Sequence, residues 1–145
     1  MAQKQAVLSA ISQSSFYSSK DVKFVSNRSI NKEGYTMQFL NTDQVLIDET
    51  TFSGNGQINI NIEAASLGIK NSTFTAGRRH HVAARETDVR MHGVIFHDSE
   101  DSEANGHAIQ CTHCTSLQIY ASEFTNLVGE RGAAIYITEQ MYSNT

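Results

Sequence analysis

Two thiols and two imidazoles fall within eight residues, at His107, Cys111, His113 and Cys114. Four ligands of these types are what a tetrahedral structural zinc site needs, so metal is one fate of the group, and a local disulfide is a second. The third, which the strand pattern favours, leaves both thiols unpaired: Cys111 alternates with Ile109 and points inward as a small buried hydrophobe, while Cys114 sits at a corner. A second cluster, Asp98, Glu100, Asp101 and Glu103, offers carboxylate oxygens of the kind that hold calcium. It lacks the spacing of an EF-hand or of the nonapeptide calcium repeats, which favours a solvated acidic loop.

Arg78, Arg79, His80 and His81, taken with Asp88 and Arg90, supply the acids and bases that polysaccharide elimination or hydrolysis would require. They do not pair at equivalent positions of neighbouring repeats, which favours a charged outer face over an enzyme. No catalytic residue and no cofactor is assigned. Two N-glycosylation sequons occur, Asn27-Arg28-Ser29 and Asn71-Ser72-Thr73.

The elements that must carry these groups are legible in a repeat. An apolar residue followed five positions later by Phe, once by Ile, appears at Ile11/Phe16, Val25/Ile30, Ile47/Phe52, Ile69/Phe74, Met91/Phe96 and Ile119/Phe124. The second members recur at one identical interval three times in succession, from Ile30 to Phe52, to Phe74 and to Phe96. Between them lie alternating apolar residues: Met37/Phe39, Ile58/Ile60/Ile62, Val82/Ala84, Ile109/Cys111 and Ile135/Ile137. Alternation with period two marks strands, and a fixed period in the range of about 20–50 residues marks a stacked repeat architecture. At roughly 3.3 Å per residue, an interval of roughly 22 residues closes one three-sided rung, with rungs roughly 4.8 Å apart.

The expected fold is all-β, a right-handed parallel β-helix of about five rungs of roughly 22 residues. Residues 1–30 form an irregular N-terminal lead-in, with a helical or irregular segment over 3–12, residues 31–137 form regular rungs, and 138–145 form a tail. The core stack is Ile47, Phe52, Ile69, Phe74, Met91, Phe96, Ile119 and Phe124. Met37 precedes Val45 by eight positions but Ile60 precedes Leu67 by seven, so one corner must change length between rungs. The step from Phe96 to Phe124 exceeds the regular interval by six, and the extra residues fit a loop within 97–106.

Composition agrees. Apolar residues make up 39% of the chain, as suits a thin solenoid with a narrow core, and Pro is absent, as a hydrogen-bonded ladder requires. Net charge is −4, without the basic face of a nucleic-acid binder. No apolar stretch spans a membrane.

Phe124-Thr125-Asn126 followed by Gly132-Ala133-Ala134-Ile135 resembles the paired Phe-x-x-Asn and Gly-Gly-Ala-Ile motifs of polymorphic outer membrane protein repeats. Phe96-His97-Asp98 followed by Gly106-His107-Ala108-Ile109 is similar, with His107 at the second Gly position. The resemblance covers roughly 91–137 and implies a right-handed β-helix of the pectin-lyase-like type, with a surface, adhesive or structural role and no catalytic residues.

Three functions follow as expectations. The first is a structural or adhesive β-helix module at the cell surface or outside it, associating end to end with copies of itself or with flanking β-helix chain, because neither terminus carries an obvious cap. Its partners would be such copies, a cell-surface protein or a glycan. The second is a carbohydrate-active β-helix, marked by a groove with exposed aromatics or carboxylates across two rungs. The third is an intracellular scaffold.

Overall fold

The computed structural model describes residues 5–11, 15–18, 21–27, 34–99, 108–129 and 131–139. Their secondary structure is all-β, a parallel solenoid. The first layer holds β1 (Gln5–Ile11), β2 (Ser15–Ser18) and β3 (Val22–Val25). In the second and third layers the first two faces run on in one long strand: β4 (Gly34–Asp48) then β5 (Thr50–Ser53), and β6 (Ile58–Lys70) then β7 (Thr73–Gly77). The fourth layer has β8 (Val82–Arg85), β9 (Asp88–His92) and β10 (Ile95–Ser99), and the fifth β11 (Ile109–Thr112), β12 (Ser116–Tyr120) and β13 (Glu123–Thr125). Finally β14 (Ile135–Thr138) lies on β11. Four turns of the coil thus carry the chain from β3 to β13, which ends the sheet β3-β5-β7-β10-β13. Among the described residues no helix is long and apolar enough to cross a membrane.

Register follows the apolar columns. Ile47 pairs with Ile69, Ile69 with Met91, and Met91 with Ile119. Phe52, Phe74, Phe96 and Phe124 pair in the same way. The rings stack with centroids 4.7, 4.8 and 5.1 Å apart and planes within 13°. Each fully buried ring contributes about 1.5–3 kcal/mol of burial, and each stacked pair about 0.5–1.5 kcal/mol more.

The N-terminal part departs from expectation. Residues 1–30 are no irregular lead-in where they are described: β1 and β2 pair in parallel with β4, and β3 with β5. The Phe column begins at Phe24, which stacks on Phe52 at 5.2 Å. Ile11 and Phe16 lie in other columns, opposite Leu40 and Val45, and Val25 is 56% exposed. The spacing rule misassigned them because the step from Phe24 to Phe52 is as long as that from Phe96 to Phe124, six more than the regular interval. Ile30 lies outside the described residues, as does most of the expected tail.

Corner lengths account for the irregular spacings. The shift between Met37/Val45 and Ile60/Leu67 is a bulge at Asn41 (φ 51°), which has no partner on β6. Of the six extra residues after Phe96, five lie between Ser99 and Ile109, set against Gly77 and Val82. The sixth lies between Thr112 and Ser116, set against Arg85 and Asp88, and not in the acidic loop as expected.

Two of the three corners turn on a single left-handed residue in every layer. One is Asp21, Glu49, Asn71, Gly93 and Ala121, with φ of 61°, 45°, 46°, 64° and 46°; the other is Ser26, Gly54, Ala76, Asp98 and Asn126, with φ of 54°, 63°, 51°, 57° and 53°. Most of these are not Gly, and an L-residue in this region costs about 1–2 kcal/mol, so the flanking ladders must hold it there. A hydroxyl reinforces the first corner. Ser72 Oγ donates to Lys70 O (2.6 Å) and accepts the Thr50 N–H of the previous layer (3.1 Å). Ser122 Oγ does the same with Tyr120 O (2.9 Å) and Val94 N (3.2 Å), and Thr87 with Arg85 O (2.7 Å) and Ala64 N (3.2 Å) at the remaining corner. These buried N–H groups would otherwise lack an acceptor at the points where the ladder is interrupted.

Candidate surface groove

A strand whose inward residues are Ile69, Met91 and Ile119 must send their chain neighbours outward. On β4, β6, β9 and β12 this produces three outward rows: Gln44, Ser66, Asp88, Ser116; Leu46, Gly68, Arg90, Gln118; and Asp48, Lys70, His92, Tyr120. Gly68 has no side chain, and the rows around it enclose a groove of about 670 Å³ lined by Gln44, Leu46, Lys70, Arg90, His92 and Tyr120 among others. Tyr120 is 58% exposed.

Three side chains lining the groove are already engaged, among them Ser66, whose Oγ donates to the Asp43 carbonyl at 3.5 Å. Asp88 accepts from the Ser116 hydroxyl and pairs with Arg90 Nη2 at 3.0 Å. By contrast, the side chains of Gln44, Lys70, His92, Gln118 and Tyr120 make no hydrogen bond or ion pair with the described residues. All five are exposed on the outer face of the sheet.

The expected chemical clusters are rearranged. Arg78 and Arg79 are exposed in the turn between β7 and β8, whereas Asp88 and Arg90 belong to the groove on β9. His81 is fully buried, seated where Gly77 lacks a Cβ, with its ring 5.5 Å from Phe74 and 5.9 Å from Phe96. Its Nδ1 lies 2.7 Å from Asn59 Nδ2. The bond directions can be read from one end of this chain. The Asn27 backbone N–H donates to Asn55 Oδ1 (2.9 Å), so Asn55 Nδ2 donates to Asn59 Oδ1 (2.7 Å), which turns Asn59 Nδ2 toward the imidazole. His81 Nδ1 is therefore an acceptor, and the ring is neutral with its proton on Nε2. His81 belongs to the interior and not to a surface acid–base set.

The thiols are paired, contrary to the reading that left them free. Cys111 and Cys114 form a disulfide across the corner between β11 and β12, with Cα atoms 5.6 Å apart. Cys111 is buried as expected, and the one extra residue of this corner brings Cys114 back over it. Both sulfurs are thereby removed from any zinc site, and His107 lies outside the described residues. His113 is the left-handed residue of the corner (φ 52°).

Of the acidic set, Glu100, Asp101 and Glu103 lie outside the described residues. Asp98 is engaged: His97 Nδ1 lies 2.9 Å from Oδ2, and Asn126 Nδ2 donates to Oδ1 at 3.1 Å. The His97 hydrogen bond first, then that of Asn126, holds its carboxyl below the usual carboxylate range. Among the described residues no group of three or more His, Cys, Asp or Glu is placed to hold a metal ion.

The two sequons are separated. Asn71 stands exposed at a left-handed corner, with its amide 3.2 Å from Asp48 Oδ1. Asn27 turns its amide onto Asn55 Oδ1 at 3.1 Å.

Sequence reasoning missed Gln44, Lys70, His92, Gln118 and Tyr120 because they are far apart in the chain and follow no motif. Reading the residues on either side of each column member, Ile69, Met91 and Ile119, would have found the last four. No protein-family model, curated protein or solved structure matches this chain, so the motif resemblance stands on its own residues and the parallel β-solenoid is what the structure itself shows.

Proposed function

We propose that this chain is a structural or adhesive solenoid module that engages an extended partner along the outer face of β4, β6, β9 and β12. One observation carries the reading: five polar side chains across successive layers line a single groove without hydrogen-bond or ion-pair partners among the described residues. Amides, an ammonium, an imidazole and an open aromatic ring suit a hydroxyl-rich chain such as a glycan, with sugar faces against Tyr120 and hydroxyls toward Gln44 and Gln118. Binding without chemistry is favoured because Asp88, the carboxylate lining the groove, is taken up by Ser116 and Arg90. The disulfide supports a place in an oxidising compartment, at a cell surface or outside the cell.

The test is retention of the protein on an array of neutral and charged polysaccharides, with product analysis of the same mixtures. Binding that Tyr120→Ala and Gln118→Ala abolish, without chain cleavage, supports the module. Appearance of unsaturated or reducing ends would replace it with an enzyme, and no retention on any polysaccharide would leave the groove without this role.

A second reading, stacking of copies end to end, is favoured by Ile137. It continues the inward column of Ala84 and Cys111, both buried, yet is itself 56% exposed. A further layer, from continuing chain or from another copy, would cover it. Sedimentation of the wild type against Ile137→Lys distinguishes the two.

A further inference from the structure

The geometry points to an oxyanion-binding notch above Gly68, and we propose that it takes one sulfate, phosphate or carboxylate group carried by the groove's ligand. The inference rests on reading the groove as a recognition surface and adds the chemical group it selects.

Gly68 and Lys70 are alternate residues of one strand, about 6.6 Å apart on the same face. Arg90 and His92 stand opposite them in the next layer, about 4.8 Å away. Four positions therefore form a rectangle, with N–H-bearing side chains at three corners and none at the fourth. The fourth corner carries no side chain of its own and is walled on one side by Leu46, whose Cδ1 would lie 3.1 Å from a Cβ on Gly68.

The charges favour an anion there. Lys70 has no ion-pair partner among the described residues, and both Lys70 and His92 are exposed. Arg90 uses Nη2 toward Asp88 and keeps further donors of its five. Of the two neighbouring carboxylates, Asp88 takes the Ser116 hydroxyl and one nitrogen of Arg90 itself, and Asp48 takes the Asn71 amide. Guanidinium groups bind carboxylate, sulfate and phosphate through paired, charge-assisted hydrogen bonds. In a chain of net charge −4, a groove lining with Lys70 and Arg90 against Asp88 is a local reversal of sign.

The experiment titrates the folded chain with sodium sulfate, phosphate or acetate at constant ionic strength, following the Gly68 amide and the His92 imidazole by NMR. Saturable shifts at both are expected for at least one ion, and the strongest of the three identifies the oxyanion. Gly68→Val fills the open corner with a residue strands favour and should abolish the shifts. Arg90→Gln should weaken them at least tenfold, and Lys70→Gln gives a second variant should the valine chain not fold. No saturable shift with any of the three ions, or unchanged binding by Gly68→Val and Lys70→Gln, overturns the notch. Dextran sulfate, carboxymethyl dextran and neutral dextran then separate this proposal from the reading beneath it. Ion binding without polymer binding keeps the notch and removes polymer recognition. Polymer binding that is equal in wild type and Gly68→Val keeps recognition and removes the notch.

Discussion

The middle and last layers of the coil are written in the same residues and packed differently. Ile69, Phe74, Met91 and Phe96 are 0–1% exposed, whereas their counterparts Ile119 and Phe124, in register and equally apolar, are only partly buried. Phe74 stacks between Phe52 and Phe96, while Phe124 stacks on Phe96. In a solenoid the core is not a property of one layer but of the contact between layers, so stability adds by nearest neighbours.

The widest test of this difference replaces the same residue in both places. Phe74→Ala should cost about 3–5 kcal/mol by chemical denaturation, since it leaves a hole with walls on two sides. Phe124→Ala should cost about half as much, because one side of its ring is less enclosed and area buried sets the loss. Equal costs would mean that the last layer is as enclosed as the middle ones.

Corner hydroxyls give a smaller contrast. Ser72→Ala should destabilise by about 1–3 kcal/mol, because the buried Thr50 N–H loses its acceptor. Ser122→Ala removes the same bond to Val94 from a partly exposed corner and should cost less, as hydrogen exchange at the two amides would show.

Ala121→Gly reverses the sign. Ala121 is exposed at φ 46°, where Gly93 stands in the previous layer. The substitution should raise stability by about 0.5–1 kcal/mol, read as a shift in denaturation midpoint, and a loss would show that its backbone is not strained.

The smallest effect is electrostatic. Asp98 joins the middle to the last layer through Asn126, and its carboxyl is held low by His97 and Asn126. A depressed folded pKa contributes stability above the unfolded value, about 3.9, and that contribution is lost as pH falls through the folded value. Melting curves of wild type and Asp98→Asn should therefore separate above about pH 4 and converge in stronger acid. Curves parallel at every pH would show that the carboxylate's charge contributes nothing.

Much of the fold was legible because the repeat imposes one chemical requirement many times. Ile47, Ile69 and Met91 announce a column by recurring at a fixed spacing, and the change from Met37/Val45 to Ile60/Leu67 announced a length change that proved to be the Asn41 bulge. The first layer was misread because Phe24 stands six positions further from Phe52 than the regular interval allows, so a strict count passed over it. The corner residues were hidden for another reason. Glu49, Ala76 and Ala121 have no preference for a left-handed backbone, and only the ladders on either side hold them there.

By itself the sequence determined the parallel coil, its apolar columns and its approximate register, because burial recurs with the period of the chain and period is written in one dimension. Only the tertiary structure decided which outward residues become neighbours, that Cys111 meets Cys114, and that His81 lies inside while Lys70, Arg90 and His92 surround Gly68. Those outcomes depend on how many residues each corner takes, and a single residue more or less at a corner changes which side chains stand above one another.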